Sequence, residues 1–134
     1  MKNRQLRLSR IIMHKCNALG VLINARKLID NPQSWTQHKY ARDSDGRAVP
    51  GESEQAVCWC AIGALQRVST LINDKRFNQE ASACLLAAIK PDSSMGLISV
   101  ARYNDKHTHA EVINLFDEAI NNEINKYIDK HESV

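Results

Sequence analysis

At 134 residues the chain has the length of one average domain, enough for one hydrophobic core and too little for two, so residues 1–134 read as a single domain. Its 43% apolar and 25% charged residues are ordinary for a globular protein and exclude wholesale disorder or a fibrous repeat. No run of about eighteen apolar residues occurs, which excludes a transmembrane helix. The basic start, residues 1–10, leads into an apolar stretch broken by His14, Lys15 and Asn17 with no small-residue cleavage site, so it does not read as a signal peptide, and a cytoplasmic protein is expected.

The net charge of +3 is unevenly spread: residues 1–29 hold seven Lys or Arg and no acid, whereas residues 104–134 hold seven acids and three Lys. Two terminal helices lying side by side would neutralise each other; a basic first helix touching nucleic acid is the alternative. The four cysteines, 16, 58, 60 and 84, sit in apolar patterns and read as reduced core thiols.

In chain order, Leu8, Ile12, Cys16, Leu19 and Ile23 recur at steps of three and four, the stripe of an amphipathic helix over about residues 6–29 that Asn31-Pro32 closes. Over residues 34–49 the pattern alternates instead, and Asp43-Ser44-Asp45-Gly46 supplies a turn, which predicts a short β-hairpin or a structured loop. After Pro50-Gly51, Ser53 is a candidate N-cap for a second helix whose stretch 56–72 is apolar all round and therefore expected to be buried. Gly63 in its middle costs about 1 kcal/mol relative to Ala, which suggests close approach of another backbone or a ligand. A third helix is expected over 78–89 and a shorter piece over 94–103, followed by a polar loop from Asn104 to His107. Thr108 and Glu111 form a capping box that starts a last helix, along which Val112, Leu115, Phe116, Ala119, Ile120 and Ile124 continue the helical period. The fold class is mainly α: four to five helices with a hairpin or structured loop between the first two.

Metal chemistry finds little support. Cys58 and Cys60, two apart on a helix, would point about 200° away from each other, and no C-x-x-C or H-E-x-x-H occurs, so neither a metal nor another cofactor is expected. A nucleophilic thiol is the sharper idea, because a cysteine near a helix start feels the positive dipole end. Cys60 would then need His107 or His109 as base, Asn104 or Asp105 as orienting group and Gln37 as donor. The bland reading treats these cysteines as small buried hydrophobes. No glycine-rich phosphate loop is present.

Three segments together are suggestive: Trp35-Thr36-Gln37; Trp59-Cys60-Ala61-Ile62-Gly63-Ala64-Leu65; and Asn104-Asp105 ahead of Ala110-Glu111-Val112. Over about residues 6–121 they resemble a family of small bacterial and bacteriophage proteins catalogued as a domain of unknown function, with the pattern W-T-Q, W-C-x-x-G-A-L and N-D before A-E-V. The resemblance implies that Trp35, Gln37, Cys60, Gly63, Ala64, Asn104 and Asp105 belong to one site or one packing unit. Trp35 and Trp59 would fill the space that Gly63 leaves, giving either a fold-defining core with a polar clasp or a small-ligand pocket. The leading expectation is a binding or inhibitory protein rather than an enzyme, which the resemblance associates with phages and which would act on a host protein or a small signalling molecule through Trp35, Gln37, Trp59, Gly63, Asn104 and Asp105. A thiol hydrolase or transferase using Cys60 with His107 or His109 is the alternative. Oligomer formation stays open.

Overall fold

The computed structural model describes residues 18–73, 76–90 and 98–132. Among them are five α-helices and three two-residue strands: α1 (Ala18–Leu28), β1 (Ala41–Arg42), β2 (Ala48–Val49), β3 (Cys58–Trp59), α2 (Ala61–Leu71), α3 (Arg76–Ala88), α4 (Val100–Lys106) and α5 (His109–Glu132). The expected mainly α architecture, with a β element between the first two helices, is what the chain adopts. Leu8, Ile12 and Cys16 of the first apolar stripe, and residues 94–97 of the shorter fourth piece, lie outside the described residues.

The core gathers from every helix. Leu22 and Ile29 from α1 and its end, Leu65 from α2, Leu85 from α3, and Val112 and Phe116 from α5 are fully buried. Burial of each such side chain contributes about 1.5–3 kcal/mol, so the helical periodicity of the sequence is the main force assembling this layer. A second small cluster joins Leu19 of α1 to Ile124 of α5. On the same pair of helices the Arg26 guanidinium reaches Asp117 through two nitrogens, Nε to Oδ1 and Nη2 to Oδ2. That hydrogen bond, more than the opposing desolvation, holds the Arg26 pKa above its ordinary value. The described part of the basic N-terminal region thus lies against the acidic last helix, as their charges suggest.

Pro32 closes the first helix region by opening a 3-10 turn, Pro32–Ser34, whose N-cap Asn31 accepts the Gln33 N–H at 2.9 Å. The hairpin then forms where the period changes. Ala41 pairs with Val49 and Arg42 with Ala48, and Asp43 Oδ1 gathers the N–H groups of Asp45 and Arg47, both at 2.9 Å. Gly46, at φ +81°, takes the left-handed position that this turn requires.

Two boundaries depart from the sequence reading. The second helix does not start after Ser53. Residues 58–59 instead form β3, which pairs antiparallel with β1 in the order β2-β1-β3, with Arg42 opposite Cys58 and Ala41 opposite Trp59. The helix begins only at Ala61, with Cys60 as N-cap, while the Ser53 hydroxyl serves a turn by accepting the Gln55 N–H. Nor is this helix buried on all sides: Leu71 is 67% exposed at its end. Asn104 and Asp105, expected in a loop, lie inside α4, which Ser99 caps by accepting the Arg102 N–H at 3.1 Å. Weak helix formers are held helical there because their side chains are bound to the segment before the hairpin. The capping box matches expectation: the Thr108 N–H donates to Glu111 Oε1 at 2.9 Å, and the Glu111 N–H to Thr108 Oγ1 at 3.2 Å.

Candidate functional site

Asn104 is fully buried and every polar atom of its side chain is used. Its Oδ1 accepts the Trp35 indole N–H at 2.8 Å and the backbone N–H of Ala61 at 3.0 Å, while its Nδ2 donates to Thr36 O at 3.0 Å. Gln37 completes the arrangement from the same segment. Its Nε2 lies 3.1, 3.3 and 3.0 Å from the carbonyl oxygens of Asn104, Asp105 and His107, so it caps the C-terminal end of α4. Asp105 Oδ1 accepts the His38 N–H at 2.7 Å, which pins a non-glycine residue at φ +72°. Arg42 braces the segment from β1, donating to Thr36 Oγ1 at 2.9 Å and to Gln37 O at 3.2 Å.

Trp59 and Gly63 stand beside this clasp. The Trp59 ring is buried and its indole N–H donates to Gly51 O at 3.0 Å. Gly63 faces β1 so closely that a Cβ there would sit 1.9 Å from Tyr40 O. The close backbone approach suggested by a mid-helix glycine is therefore an approach of the hairpin, which lets the Cys60 N–H donate to Tyr40 O at 3.0 Å. The six expected binding residues, Trp35, Gln37, Trp59, Gly63, Asn104 and Asp105, are thus grouped around the junction of hairpin, α2 and α4. Nearly all their polar capacity is spent inside the molecule.

Beside the junction lies an open cleft of about 630 Å³. His38, Lys39 and Tyr40 form one wall, Val49, Pro50 and Glu52 another, and Cys60, Gln66, Ala101 and Asp105 contribute from α2 and α4. A cavity of this volume is in the range that holds small ligands. Among the described residues, the Lys39 ammonium, the Tyr40 hydroxyl, the Glu52 carboxylate and the Gln66 amide make no hydrogen bond within the molecule. Tyr40 is 53% exposed.

Cys60 borders the cleft but is only 4% exposed. Its Sγ accepts the Gly63 N–H at 3.3 Å as the cap of α2. Burial pushes the thiol pKa up, and the N–H groups of Gly63 and Ile62 offset this only in part. Neither imidazole expected as its base lines this cleft. His107 stacks on Tyr103 and its Nδ1 lies 2.8 Å from Tyr103 O, while His109 Nε2 lies 2.7 Å from Ile29 O and its ring tilts against Trp35. The N–H groups of Cys60, Ala61 and Gly63 are all engaged, which leaves none of the three to stabilise an oxyanion. Cys58, Cys60 and Cys84 are free thiols, and no group of three or more potential metal ligands converges among the described residues.

A family model matches residues 13–122, which is most of the chain. The protein belongs to DUF6197, a family of unknown function. No curated protein and no solved structure matches it. Membership in DUF6197 therefore places the chain without assigning it an activity. No helix among the described residues is long and apolar enough to cross a membrane.

His38, Lys39, Tyr40, Glu52 and Gln66 escape a reading of the sequence. Each is an ordinary surface residue in its local pattern, and only the closed fold brings them to one cleft. The alternation over 34–49 marks the hairpin, but nothing in it shows which strand end stays open.

Proposed function

We propose that this protein binds a small ligand in the cleft between the open end of the hairpin and α4, and that it is not an enzyme. One observation carries the reading: Trp35, Gln37 and Asn104 are satisfied internally, whereas Lys39, Tyr40, Glu52 and Gln66 face the cleft without internal partners. Polar groups held by a rigid frame and left free at a concave surface are what a ligand site needs. The engaged N–H groups around Cys60 and the distant contacts of His107 and His109 speak against acyl transfer by the thiol. A small signalling molecule suits such a cleft better than a protein partner, and sequestering one is how a phage-borne protein would act against a host defence.

Thermal unfolding against a library of small metabolites tests this. A ligand present at about 100-fold its Kd stabilises by about 2.7 kcal/mol, enough for a clear rise in Tm. Stabilisation by at least one compound, lost on Tyr40→Ala or Gln66→Ala, is expected. A library that stabilises nothing and perturbs no cleft resonance in NMR spectra overturns the reading.

A further inference from the structure

Cys58 and Cys60 stand on extended chain and not on a helix, which reverses the geometry expected of them. Arg42 pairs with Cys58 across the β1–β3 ladder, and the Cys60 N–H carries that ladder on by donating to Tyr40 O at 3.0 Å. Cys60 itself is extended, at φ −78° and ψ 176°. Side chains two apart on extended chain point to the same face, so both thiols leave β3 on one side while Trp59, on the other, joins the core. At about 3.3 Å of rise per residue their Cα atoms lie about 6.6 Å apart. A disulfide spans Cα separations up to about 6.8 Å, so the pair can be bridged with its backbone nearly in place, at the strained end of the range. The two thiols differ in access. Cys58 is half-buried, whereas Cys60 is buried and its Sγ accepts the Gly63 N–H at 3.3 Å as the cap of α2.

We propose that Cys58 and Cys60 are a redox pair, and that its oxidation to an intramolecular disulfide uncaps α2 at the border of the cleft. The oxidant is a small disulfide of the glutathione class. The Cys58 thiolate, its proton lost to solvent, attacks one sulfur of glutathione disulfide; that S–S bond breaks, and the first glutathione leaves as a thiolate that takes up a proton. The Cys60 thiolate then attacks the Cys58 sulfur of the mixed disulfide and expels the second glutathione in the same way. Two protein thiols are thereby oxidised to a disulfide, and glutathione disulfide is reduced to two thiols. The order follows from access. Burial pushes the Cys60 thiol up, which makes it a poor first nucleophile, but a thiol held two residues from the mixed disulfide has a high effective concentration. Bridging turns Cys60 Sγ back along the strand toward Cys58, and the Gly63 N–H loses its acceptor. Strained disulfides are readily reduced, so the pair is suited to a switch rather than to a permanent staple. Cys60 lines the cleft, and the change therefore reaches its wall.

Incubation of the native full chain with glutathione disulfide, quenching with N-ethylmaleimide and mapping of the tryptic peptide 48–67, whose only cysteines are Cys58 and Cys60, tests the assignment. The wild type is expected to yield this peptide lighter by two hydrogens and alkylated at neither cysteine, and dithiothreitol to restore both thiols. Cys60→Ser, which keeps a capping hydroxyl, should stop at a glutathione adduct on Cys58, and Cys58→Ser should leave Cys60 unmodified. The oxidised wild type should melt about 3 °C below the reduced protein, with a displaced Gly63 amide resonance. A stable glutathione adduct on Cys58 in the wild type, no modification of Cys58 at all, or pairing with Cys16 or Cys84 overturns the redox pair. An internal disulfide that moves neither the Tm nor the Gly63 amide overturns the uncapping.

Discussion

The indole N–H of Trp35 donates to Asn104 Oδ1 at 2.8 Å across 69 residues of chain, and the same oxygen accepts the Ala61 N–H that would otherwise be orphaned at the start of α2. One amide oxygen therefore fixes the segment before the hairpin, the start of α2 and the middle of α4 relative to one another. These are the elements whose ends surround the cleft. Asn104 acts on any ligand indirectly, by holding the frame.

Replacing Asn104 tests that role. Asn104→Ala removes the bonds to Trp35, Ala61 and Thr36 and leaves buried polar groups unpaired, at about 1 kcal/mol or more each, so a loss of about 3 kcal/mol is expected in urea unfolding. Asn104→Asp keeps the acceptor but turns the Nδ2 donor into an oxygen facing Thr36 O, and should be at least as damaging. A loss below about 1 kcal/mol for both would mean that the clasp is dispensable.

What could be read from the sequence was what is written locally. Thr108 and Glu111 announce their helix because each caps the other within one turn, and Asp43 to Gly46 announce a turn because the aspartate gathers nearby N–H groups. The start of α2 was not legible for the opposite reason. Cysteine is not a usual N-cap, and the two-residue strand before it exists only because Arg42 and Ala41 of a distant segment pair with it. Trp35, Gln37 and Asn104 were recognisable as one unit, yet their division from the cleft residues depends on which hydrogen bonds are satisfied once the chain closes.

Two glycines separate steric from conformational need. Gly63→Ala would place a methyl 1.9 Å from the backbone oxygen of Tyr40, which cannot yield cheaply. Loss of at least about 2 kcal/mol is expected, with displaced hairpin resonances. Gly46→Ala meets no atom within 4 Å and suffers only from its φ of +81°, so about 1 kcal/mol is expected. Equal effects in chemical denaturation would show that the hairpin does not rest on α2 as closely as described.

The capping box gives the fold a pH signature. Hydrogen bonds from Thr108 hold the Glu111 carboxyl below its ordinary 4.5. A depressed folded pKa means stability that is present above the unfolded value and is lost as pH falls through the folded one, so this contribution begins to fade below about pH 4.5 and is gone once the pH lies below the folded pKa. Melting curves of the wild type and Glu111→Gln should therefore converge toward low pH and separate above it, with the wild type higher. Parallel curves across that range would show that the carboxylate adds nothing to the cap.

Cysteine reactivity decides between a buried cap and a nucleophile. The Cys60 thiol is raised by burial, and Cys84 is pushed up to about 12, by burial first and by its hydrogen bond with Glu123 second. Alkylation by iodoacetamide proceeds through the thiolate, so in the native protein both should react far more slowly than in the unfolded chain, whose thiols titrate near about 8.5. Half-buried Cys58 should be modified ahead of Cys60. Peptide mapping after timed alkylation reads each site separately. If Cys60 is instead modified faster in the native protein than in the unfolded chain below about pH 8, its Sγ is an activated thiolate despite its 4% exposure, and the cleft would have to be treated as the active site of a thiol enzyme.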